Sequence, residues 1–224
     1  MKLANPNSLA QTLDRVNEAL FYGKSLPKPQ REEVARWIAS RQGLPRSYAG
    51  MFAPTEGDFK KGIRLFTGER IQTRAGTAHI LGEEACRVLI LLGASGKAVG
   101  KALQRASAGM IDRLRYEKSP GIYCCGKCSV ALWRHLAVGG LEHSERRLAA
   151  GLKTLKAHRD GSGRWKVFPF HYTLLALSEI DLPTAVKEMR YAAQVCERIL
   201  KRSAGIDKFA GRRRVLAERI LDRC

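Results

Sequence analysis

The sequence predicts an all-α fold of α/α helical hairpins, a partial toroid or short solenoid with an N-terminal helical extension and a basic C-terminal helix. Three observations lead there. A glycine-aromatic segment followed by an apolar run, Ser119-Pro120-Gly121-Ile122-Tyr123 before Val130 to Leu136, recurs about 42 to 45 residues later as Gly161-Ser162-Gly163-Arg164-Trp165 before Thr173 to Ile180, a period typical of stacked helical hairpins. Three helical pairs break at corresponding places: Ala78 to Leu92 with Ala98 to Tyr116, Cys125 to Val138 with Glu142 to His158, and Phe168 to Ile180 with Thr184 to Arg202. Within each pair the first helix is apolar nearly all round and the second is amphipathic, rich in Arg and Lys, so inner helices are wrapped by outer ones.

Taken in order, Leu9, Leu13, Val16 and Leu20 recur on one face behind Ser8, which predicts a capped helix near residues 8 to 22 ended by Gly23. A second helix starts near Pro29, carries Val34, Trp37 and Ile38 on one face, and stops before Gly43-Leu44-Pro45. Pro45, Gly50, Pro54 and Gly57 punctuate a loop, Asp58 to Phe66 reads as a short helix, and Gly68 to Gly76 as a polar loop. The three pairs follow, and Lys208 to Arg223 forms a last helix with Val215, Leu216, Ile220 and Leu221 apolar. The predicted domains are an N-terminal extension over 1–57, a repeat domain over 58–202 and a basic C-terminal helix over 203–224.

Composition narrows the function classes. The 224 residues are 45% hydrophobic, enough for an ordinary core. No run of about 18 apolar residues occurs, and no apolar stretch follows the N-terminal Met1-Lys2, so the expected location is cytoplasmic. Forty Lys and Arg against 21 Asp and Glu leave a net charge of +19, which draws polyanions. The stretch from Arg198 to Cys224 alone holds nine basic residues against three acidic ones. Six cysteines in a chain read as cytoplasmic are expected to be reduced.

The block from Glu145 to Ile180 carries a family resemblance. An amphipathic helix, then His158-Arg159-Asp160-Gly161-Ser162-Gly163-Arg164-Trp165, then an aromatic and an apolar helix resembles the α/α repeat of the prenyltransferase and squalene/terpene-cyclase families. Asp160, Gly161, Gly163 and Trp165 match that repeat's loop, and the likeness covers about residues 78–200. It implies a toroid of helical hairpins, and for the enzymes of the class a substrate such as an isoprenoid, peptide or sugar. The Asp-rich motif with which the cyclases protonate their substrate has no counterpart here. A closed ring needs about six hairpins, so three make homo-oligomerisation the route to closure.

Candidate chemistry concentrates in few places. Cys124-Cys125-Gly126-Lys127-Cys128 is the densest; Cys125 and Cys128 lie one helical turn apart, and His171 on the corresponding helix of the next pair would add a third ligand to a zinc site. The same cysteines also suit close helix packing as small apolar side chains, or redox or nucleophilic use. No other cofactor is expected. Asp160 and Glu83 are the acid/base candidates, with Trp165 placed to stack on an extruded base in a base-excising reading. A nucleic-acid-binding rim is expected from Arg113, Arg115 and Lys118 around Tyr116, from Arg159, Arg164 and Lys166 around Trp165, and from Lys208, Arg212, Arg213 and Arg214 on the last helix. Against this, Trp165 and Tyr123 also fit as buried caps between hairpins. The sequence therefore favours a helical-repeat binding protein whose basic surface engages nucleic acid; the alternative is an α/α-toroid enzyme, zinc-dependent through Cys125, Cys128 and His171.

Overall fold

A computed structural model describes residues 2–93, 96–116, 121–202, 205 and 207–224. Lys118, and with it Ser119 and Pro120 of the recurring segment, lies outside the described residues. Among them are ten helices and one two-stranded ribbon: α1 (Leu9–Phe21), α2 (Lys28–Ala39), α3 (Glu56–Lys61), β1 (Ile63–Arg64), β2 (Arg70–Ile71), α4 (Arg74–Leu92), α5 (Lys97–Leu114), α6 (Gly126–Ala137), α7 (Ser144–Ala157), α8 (Phe170–Glu179), α9 (Pro183–Lys201) and α10 (Lys208–Asp222). The all-α class and the three consecutive helix pairs agree with the sequence. The ribbon does not: where a short helix was expected to run to Phe66, Gly62 takes a positive φ of 67° after α3, and Ile63 and Arg64 then pair antiparallel with Ile71 and Arg70. No helix among the described residues is long and apolar enough to cross a membrane.

The chain falls into two compact units. The first comprises α1 to α5 with β1 and β2, together with the segment Val138–Glu142; the second comprises α6 to α10 together with Thr67–Glu69. Burial accounts for this grouping: α4 is buried on nearly every side, so α1 and α2 pack on it together with α5. At the other end Leu216, Ala217 and Ile220 of α10 are buried, which docks that helix on α8 and α9.

In the first unit, two helix N-termini share one carboxylate. Ser8 caps α1 by accepting the Gln11 amide at 3.0 Å, and its hydroxyl donates to Asp58 Oδ1 at 2.6 Å. Asp58 also accepts the Leu9 amide at 2.9 Å and the Ala10 amide at 3.2 Å. On its own helix it closes a capping box with Thr55, accepting the Thr55 amide at 2.8 Å. A negative charge placed at two helix starts satisfies backbone donors that the helices leave open. Across α1 and α4, Asn17 donates to Glu84 at 3.3 Å and accepts from Arg87 at 2.8 Å, so these buried charges are hydrogen-bonded, as burial demands. The 45–55 loop reaches α5 at Gly109, where any Cβ would overlap the Ala49 carbonyl.

In the second unit, two hairpins stack. α6 packs on α8, α7 packs on α9, and each of α6 and α8 also packs on the helix that follows it. α6 and α8 are buried nearly all round, whereas α7 and α9 bury one face only. The inner helices are joined by a two-pronged ion pair: Arg134 Nε and Nη2 donate to Glu179 at 2.7 and 2.8 Å, and the guanidinium lies 5.5 Å from the Tyr172 ring centre. Paired forks of this type fix geometry as well as charge.

Asp58→Ala is expected to cost about 3 kcal/mol of stability, because it removes one helix cap and strands buried donors of a second helix; urea unfolding checks this, with a far smaller loss expected for the exposed Glu33→Ala.

Candidate functional site

The outer layer of the second unit gathers its charge around one buried acid. The segment between α7 and α8 folds back as a small hairpin, with Arg159 bridged to Trp165, Asp160 N–H donating to the Arg164 carbonyl at 3.0 Å and Lys166 N–H to that of His158 at 2.8 Å. Its side chains dock on α9. Trp165 is 4% exposed, and its Nε1–H donates to Glu188 at 2.9 Å. Arg159 donates to the same carboxylate from Nε at 3.1 Å and Nη2 at 2.8 Å, with its guanidinium 4.2 Å from the Tyr191 ring centre.

Between α7 and α9 runs a groove of about 470 Å³. Lys153 and Lys156 of α7 and Lys187 and Arg190 of α9 line it, with Arg159, Glu188, Ala149, Leu152 and Thr184. Each helix places its two cations three residues apart, on one face. Glu188 is the groove's lone acid, and Arg159 and Trp165 already engage it. Arg190 donates to the backbone oxygen of Cys224 at 3.0 Å; Lys153, Lys156 and Lys187 have no ion-pair partner among the described residues, and all four cations are exposed. A concave, uncompensated cluster of this kind concentrates anions. The sequence marks these residues as the polar side of outer helices; the local signal of a site is an i, i+3 pair of cations on both outer helices.

The expected rim residues are placed unevenly. Arg164 and Lys166 are exposed, Arg164 4.3 Å from the Phe170 ring centre. Lys208 is exposed over Phe209. Arg212 is a correction: it is 1% exposed, turned into the core of the unit, and presents no charge to a ligand. Arg213 is held by the Thr67 carbonyl at 2.7 Å and Arg214 by that of Leu200 at 3.0 Å. In the first unit, Arg113 lies 5.6 Å from the Tyr48 ring centre and Arg115 pairs with Asp112 at 3.3 Å. Trp165 and Tyr123, 4% and 2% exposed, are packing caps, so neither is free to stack on a base.

The two acid/base candidates lie in opposite settings. Asp160 is fully exposed and shapes the turn: it accepts the Ser162 amide at 2.8 Å, the Arg164 amide at 3.1 Å and the Tyr191 hydroxyl at 3.2 Å. These donors, the Ser162 amide first, hold its carboxyl below the usual range, so it is an anion and a turn residue. Glu83 is fully buried on α4, 3.7 Å from His79 Nε2.

The proposed zinc triad is not assembled. His171 Nδ1 lies 4.0 Å from Glu69, and among the described residues Cys125, Cys128 and His171 do not converge on a common point. Burial, seconded by the charges of Arg213 and Arg164, pulls the His171 imidazole down to about 4. The Glu69 carboxylate accepts the Tyr172 amide at 3.0 Å and the Thr67 hydroxyl. The cysteines are close to each other: the Cys124 and Cys128 sulfurs lie within 4.8 Å, and the Cys128 amide points at the Cys125 sulfur.

No protein-family model matches the chain, and no curated protein or solved structure does.

Two outcomes are expected. His171 is neutral in the folded protein down to about pH 4 and charged in the unfolded chain below about 6.5, so the unfolded state binds more protons in that window and stability falls as pH drops through it; in urea titrations at pH 7 and 5, His171→Gln shows a smaller fall than the natural protein. Glu188→Ala leaves Arg159 and the Trp165 N–H without their buried acceptor and lowers stability by about 3 kcal/mol, read from the same unfolding curves.

Proposed function

We propose that the protein binds nucleic acid through its phosphates, with the groove between α7 and α9 as a principal contact. The observation that carries this reading is the groove itself: Lys153, Lys156, Lys187 and Arg190 face one concave space whose carboxylate, Glu188, is engaged by Arg159 and Trp165. Cations three residues apart are spaced about 4.5 Å along a helix axis, comparable with the rise of about 3.4 Å per phosphate along one strand. The net charge of +19 adds a long-range field of the right sign. With Trp165 and Tyr123 buried, the contact is to the backbone, which positions a polymer without reading its sequence.

The stacking of α6 on α8 and of α7 on α9 suits this use: α6 and α8, buried nearly all round, supply a rigid core, and the open faces of α7 and α9 carry charge. A zinc-dependent enzyme reading of this unit would now run through the close pair Cys124 and Cys128 rather than through His171.

Binding to a short single-stranded or duplex oligonucleotide is expected to weaken steeply with added salt, and the double variant Lys153→Gln/Lys187→Gln to lower the slope of log K against log salt by about 1.5 while weakening affinity roughly tenfold. Fluorescence anisotropy at several salt concentrations measures both. Absence of binding by the natural protein at about 50 mM salt, or an unchanged slope in the variant, overturns the proposal.

A further inference from the structure

Cys125 sits immediately before α6, in the position where a helix takes its cap. Its carbonyl accepts the Ser129 amide at 2.8 Å, the first bond of the helix, and its sulfur accepts the Cys128 amide at 3.5 Å, as a Ser or Asp oxygen would. Ser129 fixes the approach to this turn, its hydroxyl accepting the Tyr123 amide at 2.8 Å and lying 2.9 Å from the Cys125 carbonyl. The two sulfurs differ in setting. Cys125 is exposed, and Cys128 is 1% exposed one turn further on. A thiolate at Cys125 gains from the helix N-terminus and from the amide aimed at it.

The surroundings hold the pair in place. Any Cβ at Gly126 would overlap the Val167 carbonyl, so the loop after the 158–166 hairpin presses against the first turn of α6. Val167 adopts a φ of 56°, a costly conformation for a β-branched residue, and leaves its side chain 69% exposed. An exposed cysteine next to this contact, with a buried thiol one turn behind it, is a place where a disulfide of modest size can dock.

We propose that Cys125 and Cys128 form a dithiol–disulfide exchange site, with Cys125 the attacking thiolate, Cys128 the resolving thiol and a small-molecule or peptide disulfide the oxidant. The Cys125 thiolate attacks one sulfur of the disulfide RSSR′, forming the Cys125–SR bond and expelling R′S⁻, which takes a proton from water. Cys128 then attacks the Cys125 sulfur, forming the Cys125–Cys128 bond and expelling RS⁻, which takes up the proton that Cys128 loses. The disulfide is reduced to two thiols and the cysteine pair is oxidised by two electrons, so the exchange balances. Cys124, with its sulfur within 4.8 Å of Cys128 on a backbone of positive φ, stands outside this step.

The test uses the full chain, reduced and freed of small thiols, with glutathione disulfide as the probe. Peptide mapping is expected to show a Cys125–Cys128 disulfide and two equivalents of released glutathione. Cys128→Ser is expected to stop at a stable glutathione adduct on Cys125, and Cys124→Ser to behave as the natural protein. Independently of any variant, iodoacetamide at neutral pH is expected to label Cys125 roughly tenfold faster than the exposed Cys224. A disulfide mapping to Cys124, labelling of Cys125 no faster than Cys224, or tightly bound zinc that leaves all three thiols unreactive until chelated would each overturn the proposal.

Discussion

Glu188 accepts hydrogen bonds from Trp165 and from two nitrogens of Arg159 while almost wholly shielded from water, and the working surface of the second unit follows from that one carboxylate. A buried charge is tolerated only when its lone pairs are filled. Filling them draws the 158–166 hairpin onto α9, seats Trp165 as a cap and immobilises Arg159. It also spends the groove's only acid. The cations that remain on α7 and α9 therefore keep their field, and the same interaction that closes the packing leaves the surface electropositive.

The stacking of the unit explains why the charge lies where it does. Inner helices α6 and α8 bury nearly all of their side chains, so the charges they carry must be paired inside, as Arg134 is with Glu179. Outer helices α7 and α9 bury one face, with Leu148, Leu152 and Leu155 on one and Ala185, Met189, Ala192 and Cys196 on the other. Lysines on the opposite face are then solvated without penalty and can be numerous. In the first unit α4 plays the fully buried part, and its Glu84 and Arg87 are met by Asn17 from α1. Buried polar groups at such contacts fix how helices align, since a misplaced partner would strand a charge.

The thiol pair depends on the same loop. Once the hairpin is docked through Glu188, its continuation through Val167 crosses the start of α6 at Gly126, a position that tolerates no side chain. The cap of α6 is thereby defined by a cysteine in place of the usual hydroxyl or carboxylate residue. A capping sulfur has a chemistry that a capping oxygen lacks, because the dipole that favours the cap also favours the reactive thiolate.

The sequence by itself determined the helices. Ser8 as the cap of α1, the paired helices and their breaks, and the inner apolar and outer basic members were all legible, because capping and hydrophobic periodicity are local properties of the chain. Trp165 and Tyr123 as buried caps were legible too, as one of two readings, and burial chose between them. Tertiary structure alone decided the rest. Arg212 belongs to a run of three arginines that looks like one patch, yet its helix docks with that face inward. Asp58, read only as the start of a short helix, proved to cap α1 across 50 residues of chain. His171 was paired with the cysteines by repeat register, and it lies instead against Glu69, brought from 102 positions earlier in the chain. The groove exists because α7 and α9 pack side by side, and its charge persists because Glu188 is engaged by Arg159 and Trp165. Each of these depends on which groups meet at long range, and local periodicity carries no record of that.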